Sequence, residues 1–198
     1  MISDCTAIIL AGGDSQRMGF DKASLMLGEQ TLLQRVIATM QQIFPHVIIS
    51  VRQPRPEINL PQICDAKLNA GPLAGLADSM CCITTPWAFA VACDMPFVVA
   101  KVVEHLARRR AGHQAVVPVV QGHPQPLAAF YADSCLQVMR ENLTAQDGSL
   151  RGVLKRLDVC YVDEAEMLDA DPHLRSFFDL DTPQDVVQAM KMGSLKIG

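Results

Sequence analysis

Short apolar segments alternate with amphipathic segments along most of the chain, and this alternation limits the possible folds more than any other feature. The apolar segments predict strands at Thr6–Leu10, Val47–Val51, Ala88–Ala92, Ala115–Val119, Leu127–Tyr131 and Val159–Val162. Apolar residues spaced three or four apart predict helices at Thr31–Ile43, Leu73–Ile83, Ala100–Arg110, Ser134–Asn142, Ser149–Leu157 and Pro183–Met192. This order favours an α/β fold, with a mostly parallel sheet covered by helices on both faces. Ligands of such sheets bind beyond the carboxyl ends of the strands.

The length and composition of the chain suit one folded domain. It has 198 residues, 49% of them hydrophobic and 19% charged, and it shows no internal repeat or clear linker. No apolar run approaches the roughly 20 residues that a bilayer-spanning helix needs. The formal net charge of -4 argues against broad electrostatic binding of nucleic acid. We therefore expect a single domain over residues 1–198 that binds neither nucleic acid nor a membrane.

The seven cysteines are scattered along the chain, without a C-x-x-C pair or the histidine spacing of a zinc site. Such a set is typical of reduced thiols. The first residues lack the basic start, long apolar core and cleavage site of a signal peptide. These features predict a cytoplasmic protein.

A glycine-rich segment follows the first predicted strand, where a parallel sheet exposes its carboxyl edge. Gly12 and Gly13 carry no side chains, so backbone N–H groups there can approach a base or a phosphate closely. Arg17 and Lys22 add positive charge that suits a triphosphate. The segment has neither the Walker A pattern nor the G-x-G-x-x-G dinucleotide pattern, which disfavours both of those classes. Two adjacent glycines taken alone would indicate only a tight turn.

Two further motifs lie at the junctions between predicted strands and helices. Asp94 follows a buried strand, and a carboxylate at that edge suits a hard cation such as Mg²⁺. The other interpretation is that Asp94 caps the next turn. Gly71 and Pro72 shape a turn before a helix and leave space for a ligand near the helix start.

Taken together, these motifs resemble those of the molybdenum cofactor guanylyltransferases, a family of nucleotidyltransferases. The residues from Leu10 to Lys22 read LAGGDSQRMGFDK, and their L-A-G-G and R-M-G-x-D-K parts are similar to the family signature. The sequence NAGPLAG at residues 69–75 resembles the family's G-P-L-A-G segment. The sequence CDMP at residues 93–96 resembles its C-D-x-P block. The similarity extends from Leu10 to Pro183, which is nearly the whole chain.

The resemblance implies a three-layer Rossmann-like nucleotidyltransferase domain that transfers GMP from GTP to molybdopterin and releases pyrophosphate. The implied nucleotide-binding residues are Leu10, Ala11, Gly12, Gly13, Lys22, Asp65, Gly71 and Asp94. The implied catalytic residues are Arg17, Lys22 and Asp94, with Asp94 also a ligand of a Mg²⁺ cofactor. GTP and molybdopterin are the implied substrates, and proteins of molybdoenzyme maturation are the implied partners.

Two segments in the C-terminal half of the chain are relevant to the second substrate. Residues 122–131 and 148–151 look like the part of the family that faces this substrate. By contrast, Asp179 and Asp181 stand in the sequence DLDTP, where the guanylyltransferases usually have N-x-N-T-P. This departure leaves open a related transferase that uses CTP on molybdopterin, or another nucleoside triphosphate on a sugar phosphate. A non-enzymatic nucleotide or pterin carrier is disfavoured, because a mere binder need not retain the whole set of charged residues.

Overall fold

The computed structural model of the protein describes residues 1–12, 21–64, 71–144 and 148–193. Its strands are β1 Cys5–Leu10, β2 Met26–Leu27, β3 Gln30–Thr31, β4 His46–Val51, β5 Gln62–Cys64, β6 Trp87–Ala92, β7 Ala115–Val120, β8 His123–Pro124, β9 Ala128–Ala132 and β10 Val159–Asp163. Its α-helices are α1 Leu32–Ile43, α2 Gly71–Met80, α3 Ala100–Ala107, α4 Cys135–Thr144, α5 Leu150–Leu154, α6 Glu164–Met167 and α7 Pro183–Gly193. Short 3-10 helices occur at Lys22–Ser24 and Arg175–Phe177. Every strand and helix predicted from the sequence is present, with modest shifts of the ends.

In the part of the chain that the structure describes, the central sheet has eight strands. Seven of them lie in the order β10-β7-β9-β6-β1-β4-β5, and β8 pairs with β7. Strand β1 lies parallel to β4 and β6, β4 lies parallel to β5, and β7 lies parallel to β10. Strand β9 runs antiparallel to both of its neighbours, β6 and β7. The mostly parallel α/β sheet predicted from the sequence is confirmed, and β9 and the short strand β8, which is antiparallel to β7, are the exceptions to its parallel order.

Helices cover both faces of this sheet, so the fold has three layers. Residues of β1 alternate between the two faces: Ala7 and Ile9 pack in a cluster with α1 and α3, whereas Ile8 and Leu10 pack with α2, α4 and α5. All six residues of β1 are buried, as its unbroken apolar sequence predicts for a strand covered twice. Within the described residues, no helix combines the length and the apolar character needed to cross a bilayer.

The segment before α7 is fixed beside the strand edge by a small apolar cluster. Leu180 is fully buried and packs with Leu27, Leu32 and Ala189. Its backbone N–H also donates to the carbonyl oxygen of Asp94 at 3.1 Å. This anchoring brings a segment distant in sequence to the end of β6, where Asp94 lies.

Candidate active site

A cavity of about 950 Å³ opens at the carboxyl edge of the sheet. Six residues that the sequence predicts to bind nucleotide line this cavity: Leu10, Ala11, Gly12, Lys22, Gly71 and Asp94. The other predicted positions, Gly13, Arg17 and Asp65, lie outside the described residues. The volume lies near the upper end of the range for small-molecule sites, so the cavity has room for a nucleotide and part of a second substrate.

Backbone hydrogen bonds continue beyond the strand ends and hold the walls of the cavity. The N–H of Ala11 donates to the carbonyl oxygen of Ser50 at 2.8 Å, and the N–H of Cys93 donates to the carbonyl oxygen of Leu10 at 3.0 Å. Gly71 has a φ of 71°, a conformation that favours glycine over residues with a Cβ. The glycine predicted to shape the turn before α2 therefore stands where the backbone needs one.

Lys22 reaches the cavity from a short 3-10 helix whose start is tightly fixed. Asp21 caps this helix by accepting from the N–H of Ala23 at 3.1 Å, and it also accepts from the hydroxyl of Ser24 at 2.8 Å. Its carboxylate also pairs with Arg55 at 2.6 Å. Burial alone would raise the pKa of Asp21, but the bonds from Arg55 and Ser24 outweigh it and the pKa lies below its usual value. Asp21 therefore remains a charged anchor beside Lys22.

The ammonium group of Lys22 bridges two carboxylates from distant parts of the chain. Its Nζ lies 3.0 Å from an oxygen of Asp94 and 2.6 Å from an oxygen of Asp181. The side chains of Lys22 and Asp94 are only 16% and 19% exposed, whereas that of Asp181 is 56% exposed. The three charges thus converge at one point on the cavity wall.

The pKa of Lys22 reflects two opposing effects. Burial on its own would lower the pKa of Lys22, but the hydrogen bond to Asp181 and the charge of Asp94 outweigh it and raise the pKa above 10.5. Lys22 is therefore charged at neutral pH. Because its folded-state pKa is raised, its stabilising contribution is complete below the unfolded value and is lost as the pH rises through the folded value.

The chain has relatives among known proteins. Residues 7–160 match the family described as the MobA-like NTP transferase domain. The chain belongs to this family. It is 32% identical, over 94% of its length and 92% of the relative's, to a protein of Pelotomaculum thermopropionicum named "probable molybdenum cofactor guanylyltransferase".

Solved structures show the same architecture in this family and beyond it. Molybdopterin-guanine dinucleotide biosynthesis protein A from Archaeoglobus fulgidus superposes with a TM-score of 0.85 at 26% identity, covering 96% of this chain and 98% of that one. The 2-C-methyl-D-erythritol 4-phosphate cytidylyltransferase from Thermus thermophilus superposes with a TM-score of 0.68 at 19% identity, covering 96% of this chain and 98% of that one. The second likeness concerns the fold alone, so the architecture by itself does not select the nucleotide base.

The carboxylates of this MobA-like NTP transferase fit part of a divalent metal site. Asp94 and Asp181 direct oxygens at the same point, now taken by the ammonium group of Lys22, and hard cations prefer such oxygen ligands. In the described part of the chain, no group of three or more His, Cys, Asp and Glu side chains is arranged to hold a metal. The remaining ligands of a Mg²⁺ ion would have to be phosphate oxygens and water, which is its usual mode of binding with nucleotides.

Sequence reasoning missed several residues that the fold brings to the cavity. It marked Asp179 and Asp181 as departures from the family pattern but did not pair Asp181 with Lys22. It also gave no role to Arg52, His173 and Arg175, all of which line the cavity. The unusual DLDTP sequence was the available signal for Asp181, whereas no spacing in the sequence links residues 173–175 to β1 or β6.

Asp179 is expected to oppose folding at neutral pH. Partial burial, together with the negative charges of Asp181 and Asp94, raises the pKa of Asp179 above 3.8. Asp179→Asn should therefore increase the free energy of unfolding at pH 7, by less than about 1 kcal/mol, because the side chain is only partly buried and solvent screens these charges. Since the folded-state pKa is raised, this gain should shrink as the pH falls toward 3.8.

Urea unfolding at pH 7 and at pH 4 measures the effect of Asp179→Asn directly. Asp169→Asn, which changes an exposed aspartate that does not line the cavity, is the matched control. A variant no more stable than the wild type at pH 7 would contradict the repulsion assigned to Asp179.

Proposed function

We propose that the protein transfers GMP from GTP to molybdopterin, forming molybdopterin guanine dinucleotide and releasing pyrophosphate. The observation that carries this proposal is the convergence of Lys22, Asp94 and Asp181 on the wall of a large cavity at the carboxyl edge of the sheet. The names of its relatives from Pelotomaculum thermopropionicum and Archaeoglobus fulgidus support the choice of guanine and molybdopterin. We further propose that residues 1–198 act as a single domain.

The reaction is a displacement at the α-phosphorus of GTP. An oxygen of the terminal phosphate of molybdopterin attacks this phosphorus, the bond to the bridging oxygen of the β-phosphate breaks, and pyrophosphate leaves. Such reactions depend mainly on positioning and on neutralisation of phosphate charge. The protein therefore needs cations around the phosphates rather than a covalent nucleophile.

We assign the nucleotide to the part of the cavity formed by the end of β1 and the start of α2. Small residues there leave the backbone accessible to a ligand, and Arg17 and Lys22 neutralise the triphosphate and the departing pyrophosphate. The proposed nucleotide contacts are Leu10, Ala11, Gly12, Gly13, Lys22, Asp65, Gly71 and Asp94.

Asp94 and Asp181 would hold a Mg²⁺ ion together with the phosphates. Bound there, Mg²⁺ supplies positive charge that offsets the charge of the reacting phosphates. Lys22 would have to leave the gap between the two carboxylates when the metal–nucleotide complex binds. Its ammonium group would then be available to the triphosphate.

Two other functions remain as alternatives to this proposal. The fold is shared with a cytidylyltransferase, and the DLDTP sequence differs from the usual guanylyltransferase pattern, so CTP on molybdopterin or another nucleotide on a sugar phosphate is the nearest alternative. A carrier of nucleotide or pterin would use the same cavity without breaking a bond. Only the transferases release pyrophosphate.

The deciding measurement is pyrophosphate release with molybdopterin and Mg²⁺, comparing GTP, CTP and UTP. We expect release only with GTP and only when the acceptor is present. Thermal unfolding with each nucleotide and Mg²⁺ provides a parallel measurement, because the preferred nucleotide stabilises the folded state most, by about 2.7 kcal/mol at one hundred times its Kd. Preference for CTP would move the protein to cytidylyl transfer, and binding without any release would indicate a carrier.

A further inference from the structure

The positive charges that line the cavity differ in how they are compensated. Lys22 is paired with Asp94 and Asp181. Arg175 also lines the cavity, and within the described residues its side chain neither donates a hydrogen bond nor forms an ion pair. Phe177, in the same turn, packs in the cluster with α1 and α3, so this turn lies on the opposite face of the sheet from the start of α2, where the nucleotide is proposed to bind.

Arg175 follows a residue with an unusual backbone conformation. Leu174 has φ 50° and ψ 30°, in the left-handed region that leucine adopts only at a cost of about 1 kcal/mol or more. The other non-glycine residue with positive φ in the described ranges is Gln121, and it lines the same cavity. Such conformations persist where the surrounding structure imposes them, and they concentrate at binding sites.

Buried hydrogen bonds hold the turn around Leu174 in place. The side chain of Asp171 accepts from the N–H of Ser176 at 2.6 Å, and the carbonyl oxygen of Asp171 accepts from the N–H of Leu174 at 2.9 Å. The hydroxyl of Ser176, which is fully buried, accepts from the N–H of Val99 at the start of α3 at 3.2 Å. Arg175 is half-buried between these anchored residues. Its position is thus set by the fold rather than by a freely moving loop.

The same segment is tied to the proposed reacting centre. Val99 lies on the connection between Asp94 and α3, and the N–H of Leu180 donates to the carbonyl oxygen of Asp94 at 3.1 Å. The turn that carries Arg175 is therefore connected at two points to the segment that carries Asp94. A guanidinium group placed in this way can hold an anion at a fixed position relative to the α-phosphorus.

We propose that Arg175 binds the terminal phosphate of the acceptor. This inference rests on the proposed transferase function. A guanidinium group can donate two parallel hydrogen bonds to a phosphate, which fixes the orientation of the phosphate as well as its position.

Steady-state kinetics of Arg175→Ala tests the proposal. We expect the KM for molybdopterin to rise by about 10- to 100-fold, because charge-assisted hydrogen bonds to its phosphate are lost. The KM for GTP should stay within about twofold of the wild-type value. Arg175→Lys should recover part of the effect, since it retains the charge but not the paired hydrogen bonds. Arg108→Ala, which removes an exposed arginine outside the cavity, is the matched control and should match the wild type. An unchanged KM for molybdopterin, or a parallel rise in the KM for GTP, would overturn the assignment.

A binding measurement separates failure of this inference from failure of the proposed function. Thermal unfolding is followed with phenyl phosphate, at saturating Mg²⁺ and a GTP analogue whose α,β-bridging oxygen is replaced by a methylene group. We expect phenyl phosphate to stabilise the wild type and Arg108→Ala, and Arg175→Ala to lose most of this stabilisation. Equal shifts in all three proteins, or no shift in the wild type, would contradict a phosphate site at Arg175. If the wild type released no pyrophosphate with molybdopterin, the proposed function would fail while this measurement still decided the role of Arg175.

Discussion

Asp94→Ala is expected to lower the rate of pyrophosphate release by about a thousandfold or more while leaving the protein folded. The carboxylate lies at the end of β6, is mostly buried, and directs an oxygen at the point where Asp181 also converges. Loss of this proposed metal ligand would remove several kcal/mol of charge stabilisation from the phosphates, and each 1.36 kcal/mol corresponds to about a factor of ten in rate. Lys22 keeps its pairing with Asp181, so no buried charge is left alone in the variant.

The measurement for Asp94→Ala is the initial rate of acceptor-dependent pyrophosphate release over a range of Mg²⁺ concentrations, with urea unfolding to establish that the fold is retained. Asp169→Ala is the control, because it removes an exposed carboxylate outside the cavity. A rate near that of the wild type at every Mg²⁺ concentration would remove Asp94 from the mechanism. If the rate were restored by raising Mg²⁺ alone, Asp94 would contribute to metal affinity but not to the chemical step.

Local sequence patterns predicted the fold well because they report directly on burial. The unbroken apolar sequence of β1 reflects helices on both of its faces, and the three- and four-residue spacing in α1 reflects one buried face. Thr31 and Gln34 even form the reciprocal hydrogen bonds of a capping box, which fix where α1 begins. Strand β9 has the same apolar character as the parallel strands. Its antiparallel direction depends on the connection that precedes it, which hydrophobic pattern alone does not determine.

The candidate site was only partly predictable because its charged residues come from distant segments. The glycine segment and Asp94 could be placed from the sequence, since each directly follows a strand and parallel strands end at one edge. The contact between Lys22 and Asp181 spans 159 residues and depends on how Leu180 packs before α7. The position of Arg175 depends on the strained turn at Leu174 and on the buried bonds of Asp171 and Ser176. Neither arrangement has a signature in local spacing.

Lys22→Ala is expected to reduce kcat/KM for GTP by about a thousandfold, because it removes the charge proposed to neutralise the triphosphate. The same change leaves Asp94 and Asp181 facing each other without the ammonium group that now separates them. The protein should still fold, with a free energy of unfolding lower by about 1–3 kcal/mol in the absence of metal. Lys155→Ala, which removes an exposed lysine at the end of α5, should change neither quantity.

Mg²⁺ alone should stabilise Lys22→Ala more than it stabilises the wild type. In the wild type a cation must displace the ammonium group from between the two carboxylates, whereas in the variant that competition is absent and the repulsion between Asp94 and Asp181 favours cation binding. Thermal unfolding of both proteins over a Mg²⁺ titration, without nucleotide, measures the difference. Equal stabilisation of the two proteins would mean that Lys22 does not occupy the metal position, and Lys22 would then act on the triphosphate alone.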